Sequence, residues 1–167
     1  MKIEKMTTQE CRWILMRGPI GRLACSRDDQ PYIVPIYFVY EPDHLYGFTT
    51  AGQKIEWMRT NPRVSVEVDE IANHFQWESV ILTGQFHELP DLPSHAEERT
   101  HARKLLQQRS LWWDTAFAAR RLKSDSDAIL PIFYRIEIES MTGYRAVANA
   151  EEYAMTDASR PSQSTVN

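Results

Sequence analysis

Ten consecutive residues, Pro31-Tyr32-Ile33-Val34-Pro35-Ile36-Tyr37-Phe38-Val39-Tyr40, constrain this chain more than any other stretch. Ile33, Tyr37 and Val39 alternate with Val34, Ile36, Phe38 and Tyr40, so a strand here is apolar on both faces. A strand covered on one side alternates apolar with polar; this one needs cover on its outer face too, from a helix or from a second copy of the chain. Pro35 forbids one ladder hydrogen bond and marks an edge, a bulge or a place where something other than a strand approaches the backbone.

The surrounding sequence supplies the rest of a mainly β domain. Thr7 and Glu10 have the spacing of a capping box, which with Trp13, Ile14 and Leu15 predicts a helix over 7–17, ending near Gly18-Pro19. GRLACS, PYIVPIYFVY and HLYGFTT follow, separated by short polar turns, and predict three antiparallel strands in a meander. Ala51 to Arg59 reads as a short helix closed by Asn61-Pro62. RVSVEVD is a fourth strand with Val64, Val66 and Val68 on one face. WESVILTGQFHEL is a long fifth, with Gly84 at a bend or bulge. Helical patterns run from Ser94 to Gln108 and from Trp112 to Leu122, and a sixth strand from Ala128 to Glu139.

Six strands at near-regular spacing without βαβ alternation point to a closed antiparallel barrel and away from a Rossmann fold. No internal repeat is visible. At 167 residues, 43% hydrophobic, one domain is expected over 1–149, with a polar flexible tail over 150–167.

No stretch approaches the roughly 20 apolar residues that cross a bilayer, and the first residues lack the apolar run of a secretory signal. A soluble cytoplasmic protein is expected, with no membrane partner. The net charge of −4 argues against nucleic-acid binding. The basic clusters Arg99-Arg103-Lys104 and Arg120-Arg121-Lys123 read as solvated helix faces. Cys11 and Cys25 lack CxxC spacing and read as buried, reduced thiols. His95, Glu98 and His101, three residues apart on a helix, drift around it and make a poor metal face, so no metal is expected. Trp112-Trp113 read as core or interface anchors.

The segment Phe48-Thr49-Thr50-Ala51-Gly52-Gln53-Lys54 carries chemistry. It joins a strand to a helix, exposing backbone N–H groups and the positive end of the helix dipole. Gly52 allows close approach, the Thr49 and Thr50 hydroxyls can donate, and Lys54 adds a charge. This outlines a phosphate site, although an ordinary helix cap uses the same residue types.

Four stretches, GRLACSRDDQPYIVPIYFVYE, LYGFTTAGQKIEWMRTNPRVSVEVD, WESVILTGQFHEL and FYRIEIESMTGYR, occur in the order found in the pyridoxamine 5′-phosphate oxidase-like split-barrel family, which the chain resembles over residues 7–145. The likeness is to its nitroimidazole-resistance-like branch in particular. The resemblance implies a six-stranded antiparallel split β-barrel, a homodimer, and FMN at the dimer interface. It places the FMN phosphate on Thr49, Thr50, Gln53 and Lys54, and the ring edge along the backbone of Val34, Pro35, Ile36, Tyr37 and Phe38. Trp77, Glu78 and Ser79 match the positions the second subunit contributes.

The chain departs from that pattern twice. Gln53 stands before Lys54 where the authentic oxidases carry two adjacent basic residues, and the C-terminal Arg- and Pro-containing substrate motif is missing. Pyridoxamine-phosphate oxidation is thereby disfavoured. The resemblance instead implies an FMN-dependent oxidoreductase that passes electrons from a nicotinamide donor to nitroaromatic or quinone-like acceptors. Its rivals are a non-catalytic flavin-binding or sensor protein, and a barrel carrying haem or a deazaflavin. No catalytic triad or carboxylate pair stands out, and flavin chemistry requires none. Tyr37 and Trp77 are candidates to line the ring or simply to pack, and His74 and His87 flank the fifth strand.

Overall fold

The computed structural model describes residues 1–18, 20–109 and 131–148. Eight strands, three α-helices and one 3₁₀ turn (Pro93–His95) are present among them: β1 (Lys2–Lys5), α1 (Thr8–Arg17), β2 (Ile20–Arg27), β3 (Gln30–Tyr37), β4 (Val39–Glu41), β5 (His44–Thr49), α2 (Gln53–Thr60), β6 (Arg63–Asn73), β7 (Gln76–Leu89), α3 (Ala96–Arg109) and β8 (Ile132–Val147). The expected helix at 112–122, Trp112-Trp113, the Arg120-Arg121-Lys123 cluster, the start of the last strand and the tail lie outside the described residues.

All strands pair antiparallel in one sheet, in the order β3-β2-β6-β7-β8-β5-β4, with β1 added to β8. The pairing path has two free ends, β3 and β4, so the expected closed barrel is corrected to a split one. The expected meander is corrected with it. Phe38 interrupts the ten-residue apolar run, after which β3 pairs with β2 while β4 pairs with β5. One continuous stretch of sequence thus supplies both edges of the split.

Local signals explain most elements. Thr7 caps α1 with the full box: Glu10 N–H donates to Thr7 Oγ1 at 3.3 Å and Thr7 N–H to Glu10 Oε2 at 2.7 Å. Asp28 and Asp29 both take positive φ (52° and 61°), the turn geometry that matches the twist of the β2–β3 hairpin. Pro35 lies on an edge strand, where its missing N–H interrupts no central ladder. The β7–β8 register shifts between Thr83 and Gly84, the expected bulge.

Inside the barrel, Leu23, Cys25, Ile36, Phe38, Val64, Val66, Val68, Val80, Leu82 and Ile136 form one core, closed at its rims by Ile14 and Leu15 of α1 and Ile55 and Met58 of α2. A second cluster, Tyr46, Leu89, Ala102, Leu106 and Phe133, packs α3 onto the outside, with Val39 against it. Among the described residues, helix cover on the outer face of the doubly apolar run comes from α3 at Val39 of β4. Over β3, Ile33 stays 65% exposed in a single copy of the chain. Trp13, expected in the α1 stripe, is exposed instead, because Ile14 and Leu15 take the inward face. Among the described residues no helix is long and apolar enough to cross a membrane.

Candidate functional site

β5 ends at Thr49 and α2 begins at Gln53, with Thr50, Ala51 and Gly52 between them. The α2 N-terminus has no side-chain cap: Gly52 holds the N-cap position, its carbonyl accepting from Ile55 at 3.0 Å and Glu56 at 3.2 Å. Nothing lies within 4 Å of where a Gly52 Cβ would sit, so the approach to the helix end is open. The Thr49 hydroxyl donates to the Thr50 carbonyl at 3.3 Å, which tightens the turn.

Lys54, on the first turn of α2, is half-buried. Burial lowers its ammonium from the ordinary value of 10.5, and the nearby Cys25 opposes this only weakly. No carboxylate among the described residues pairs with it. A partly desolvated cation at a helix N-terminus favours an anion twice over, by charge and by dipole. Cys25, missed as a neighbour of this site, faces Lys54 from β2, and burial pushes its thiol up. The cross-strand partner of Cys25, Tyr32, meets Trp57 of α2 at 5.5 Å between ring centroids, with the Arg27 guanidinium over the indole at 5.4 Å. These contacts fix α2 beside β3. Only the strand register could have revealed them.

β3 runs from Tyr32, beside α2, toward Tyr37, which pairs with Ile20. Val34 and Tyr37 are half-buried, Ile36 and Phe38 face the core, and Pro35 is exposed. The third expected group sits elsewhere in the same chain. Twelve residue steps along β7 separate Trp77 from Leu89, near whose end Thr49 pairs with Ile132; this is about 40 Å of strand. Ser79 Oγ donates to Glu67 Oε1 at 3.0 Å, and Glu78 accepts from Arg17 at 3.3 Å. One copy of the chain therefore holds Thr49–Lys54 near the Leu89 end of β7 and Trp77–Ser79 toward its other end, the latter two to four residues beyond Ile81, which shares a cross-strand row with Pro35, Arg22 and Glu67.

The histidines divide as well. His74 lies exposed in the β6–β7 turn, while His87, at the far end of β7, lines a 350 Å³ cavity with Arg59, Glu88, His95, Glu98 and Arg135. The face expected to be solvated on α3 is partly engaged. His101 Nε2 meets Glu41 at 2.8 Å, Glu98 accepts from Arg135 and Tyr46, and Arg99 donates to the Leu89 carbonyl at 2.9 Å with its guanidinium over Phe133. Both cysteines are buried and free.

Known proteins match this arrangement. The family model for pyridoxamine 5′-phosphate oxidase matches residues 7–145. An uncharacterized protein of Rhizobium meliloti (strain 1021) is 42% identical over 148 residues, covering 89% of this chain and 98% of its own length. Among solved structures, an FAD-binding protein of Mesorhizobium loti is 41% identical, with a TM-score of 0.72 over 87% of this chain and 99% of that one. A candidate 5-nitroimidazole antibiotic resistance protein of Bacteroides thetaiotaomicron shares the fold at 20% identity, with a TM-score of 0.63 over 86% of this chain and 87% of that one. The match of the family model to most of the chain, and the split barrel it shares with these structures, make this chain a member of the pyridoxamine 5′-phosphate oxidase family.

Proposed function

We propose that this chain is a cytoplasmic flavin-dependent oxidoreductase that works as a homodimer, with one flavin held between the two copies at each site. The observation that carries the reading is the half-buried Lys54, which no carboxylate among the described residues pairs with, at a helix end that none of their side chains caps, with open space over Gly52. Its residues fit a flavin phosphate: Lys54 supplies charge, Gln53 and the α2 N-terminus supply N–H donors, and Thr49 and Thr50 supply hydroxyls. The exposed edge of β3, from Val34 to Phe38, gives the ring a backbone to lie along. The free thiols of Cys11 and Cys25 suit a reducing compartment.

A second copy is needed because Trp77, Glu78 and Ser79 lie too far along β7 to reach a flavin on their own Lys54. It also finds a face to cover. Ile20, Ile33, Ile81 and Tyr144 share the outer side of the sheet and are about half-exposed or more. Bound flavin supplies hydride and electron transfer. The chain's own residues orient it, exclude water on the β3 side, and leave Tyr37 and Trp77 to bound the space for a small acceptor, nitroaromatic or quinone-like, with a nicotinamide donor.

FMN is the flavin the phosphate site requires at minimum; the 41%-identical neighbour favours FAD, which contains the same phosphate. The test is an absorption spectrum after incubation with each flavin and desalting, beside Lys54→Ala, with chromatography of the released flavin. Retained flavin bands that weaken in the variant, followed by NAD(P)H oxidation with added nitroaromatic or quinone, support the reading. Flavin retained without turnover leaves a storage or sensor protein; no flavin in either removes the proposal.

A further inference from the structure

The turn end of the β2–β3 hairpin touches α2 at three heights. Lys54, Trp57 and the C-cap residue Asn61 stand at i, i+3 and i+7, along one face of the helix. They meet three successive residues of β2. Lys54 lies beside Cys25, the Arg27 guanidinium sits over the Trp57 indole at 5.4 Å, and Asn61 Nδ2 donates to the Ser26 carbonyl at 3.1 Å and to Ser26 Oγ at 3.2 Å. Tyr32, across the ladder from Cys25, completes the middle contact at 5.5 Å from the indole. Asn61 Oδ1 is engaged as well, accepting from Arg63 N–H at 3.3 Å.

These contacts do what the core beneath α2 does not. Ile55 and Met58 are fully buried and hold the helix to the barrel, but apolar burial is non-directional and tolerates a helix that slides or turns in place. With eight residues and no side-chain N-cap, α2 has little of its own to fix its position. One residue of slip moves a helix end by about 1.5 Å and turns it by roughly 100°. The amide bonds of Asn61 and the stack on Trp57 are directional, and both are anchored on a hairpin whose Arg27–Gln30 pairing leaves only Asp28 and Asp29 in the turn. β3 continues from that turn through Val34 to Tyr37, so the ring strand and the phosphate helix are held to one piece of backbone.

We infer that Trp57 and Asn61 are positioning residues, which through the β2–β3 hairpin hold Lys54 at a fixed reach from the edge of β3. The inference rests on the flavin reading above and adds to it the means by which two modest contacts act as one site. A ligand that spans two contacts gains from their fixed separation, because engaging one raises the effective concentration at the other. A slack α2 keeps the lysine and its charge but forfeits that gain, in the way a small misplacement costs a preorganised site.

The experiment is a double-mutant cycle on FMN binding by the full chain, titrated by flavin fluorescence, with a thermal melt of every variant. Trp57→Leu and Asn61→Ala are each made alone and on Lys54→Ala. Asn61→Ala removes the side-chain bonds to Ser26 and Arg63 and spares the core, so it carries the test even where Trp57→Leu fails to fold. Each is expected to weaken FMN roughly fivefold or more with Lys54 present and by less than about twofold on Lys54→Ala, where the group being positioned is gone. Any fall in melting temperature is the same on both backgrounds. An equal loss of FMN affinity on the two backgrounds is the mark of a merely structural contact and overturns the positioning role, as does Asn61→Ala binding FMN like the native chain; both leave the flavin reading intact. Failure of the native chain to bind FMN overturns the two together.

Discussion

Two helices close this barrel, and their N-termini are finished differently. α1 begins at Thr7, whose hydroxyl accepts from Glu10 N–H while Glu10 returns a carboxylate to Thr7 N–H, and Arg145 of β8 then holds Glu10 at 2.7 Å. α2 begins at Gly52, with no side-chain acceptor, no bulk over the helix end and a lysine one residue into the first turn. The first arrangement satisfies the helix from within the chain; the second leaves its first N–H donors without a side-chain acceptor beside a half-buried charge. An N-terminus built for stability alone takes Ser, Thr, Asp or Asn at the cap; α2 has Glu56 in its first turn but Gly52 at the cap. The missing cap at α2 supports the proposal that this helix end is the binding element.

The sharpest way to break the contrast is to remove the charge. Lys54→Ala is expected to weaken flavin binding by roughly 10- to 100-fold, the range for a charge-assisted hydrogen bond to phosphate, while its melting temperature stays close to native. Titration by flavin fluorescence and a thermal melt check both halves. A variant that binds normally removes α2 from the site. Next comes converting one helix end into the other. Gly52→Asp gives α2 the cap it lacks, so the flavin-free protein gains about 0.3 kcal/mol in denaturant unfolding. Its carboxylate occupies the open space and repels phosphate, so flavin affinity falls roughly tenfold. Stability and binding moving in opposite directions is the outcome that a purely structural α2 does not produce.

How much of this was legible beforehand follows from which signals are local. The capping box, the alternation of Val64, Val66 and Val68, the Gly84 bulge and the edge role of Pro35 are each fixed by a few neighbouring residues, and each appears where the pattern places it. The break at Phe38 had no such signal, because the residues on both sides of it are equally apolar. It is set by tertiary packing: Gly21 on β2 leaves room for the Phe38 ring, and a Cβ there would lie 3.2 Å from it and 2.8 Å from Val66. β1, Lys-Ile-Glu-Lys, becomes a strand only because β8 runs on to Val147 and offers it an edge. The candidate site was readable as residue types and unreadable as geometry. Thr49 to Lys54 announce themselves by chemistry, but the distance to Trp77 and the approach of Cys25 to Lys54 depend on register across several strands.

Two smaller effects sharpen the comparison from the α1 side and by pH. Thr7→Ala removes one half of the box and is expected to cost about 1 kcal/mol of unfolding free energy with flavin affinity unchanged, which chemical denaturation and titration read separately.

The pH dependence of the flavin-free protein then carries a distinct signature from each helix end. Hydrogen bonds from Thr7, aided by Arg145, hold the Glu10 carboxyl below its ordinary 4.5, so its contribution is complete above that value and is lost as pH falls through the folded value. Lys54 works in the opposite sense, since burial holds its ammonium below the ordinary 10.5. Between the folded value and 10.5 Lys54 is less protonated in the folded chain than in the unfolded one, so its own contribution to stability rises with pH across that window, against the falling contributions of the buried Cys11, Cys25, Tyr46 and Tyr134. Glu10→Gln should reduce the acid-side loss and Lys54→Met should remove the alkaline-side rise, each read as the difference between native and variant unfolding curves across pH and each leaving the other difference alone. With saturating flavin the Lys54 contribution, read as the difference from Lys54→Met, should disappear, because a bound phosphate compensates the desolvated ammonium and keeps it protonated. An alkaline limb insensitive to both Lys54→Met and flavin would mean that the open end of α2 is not where the anion sits.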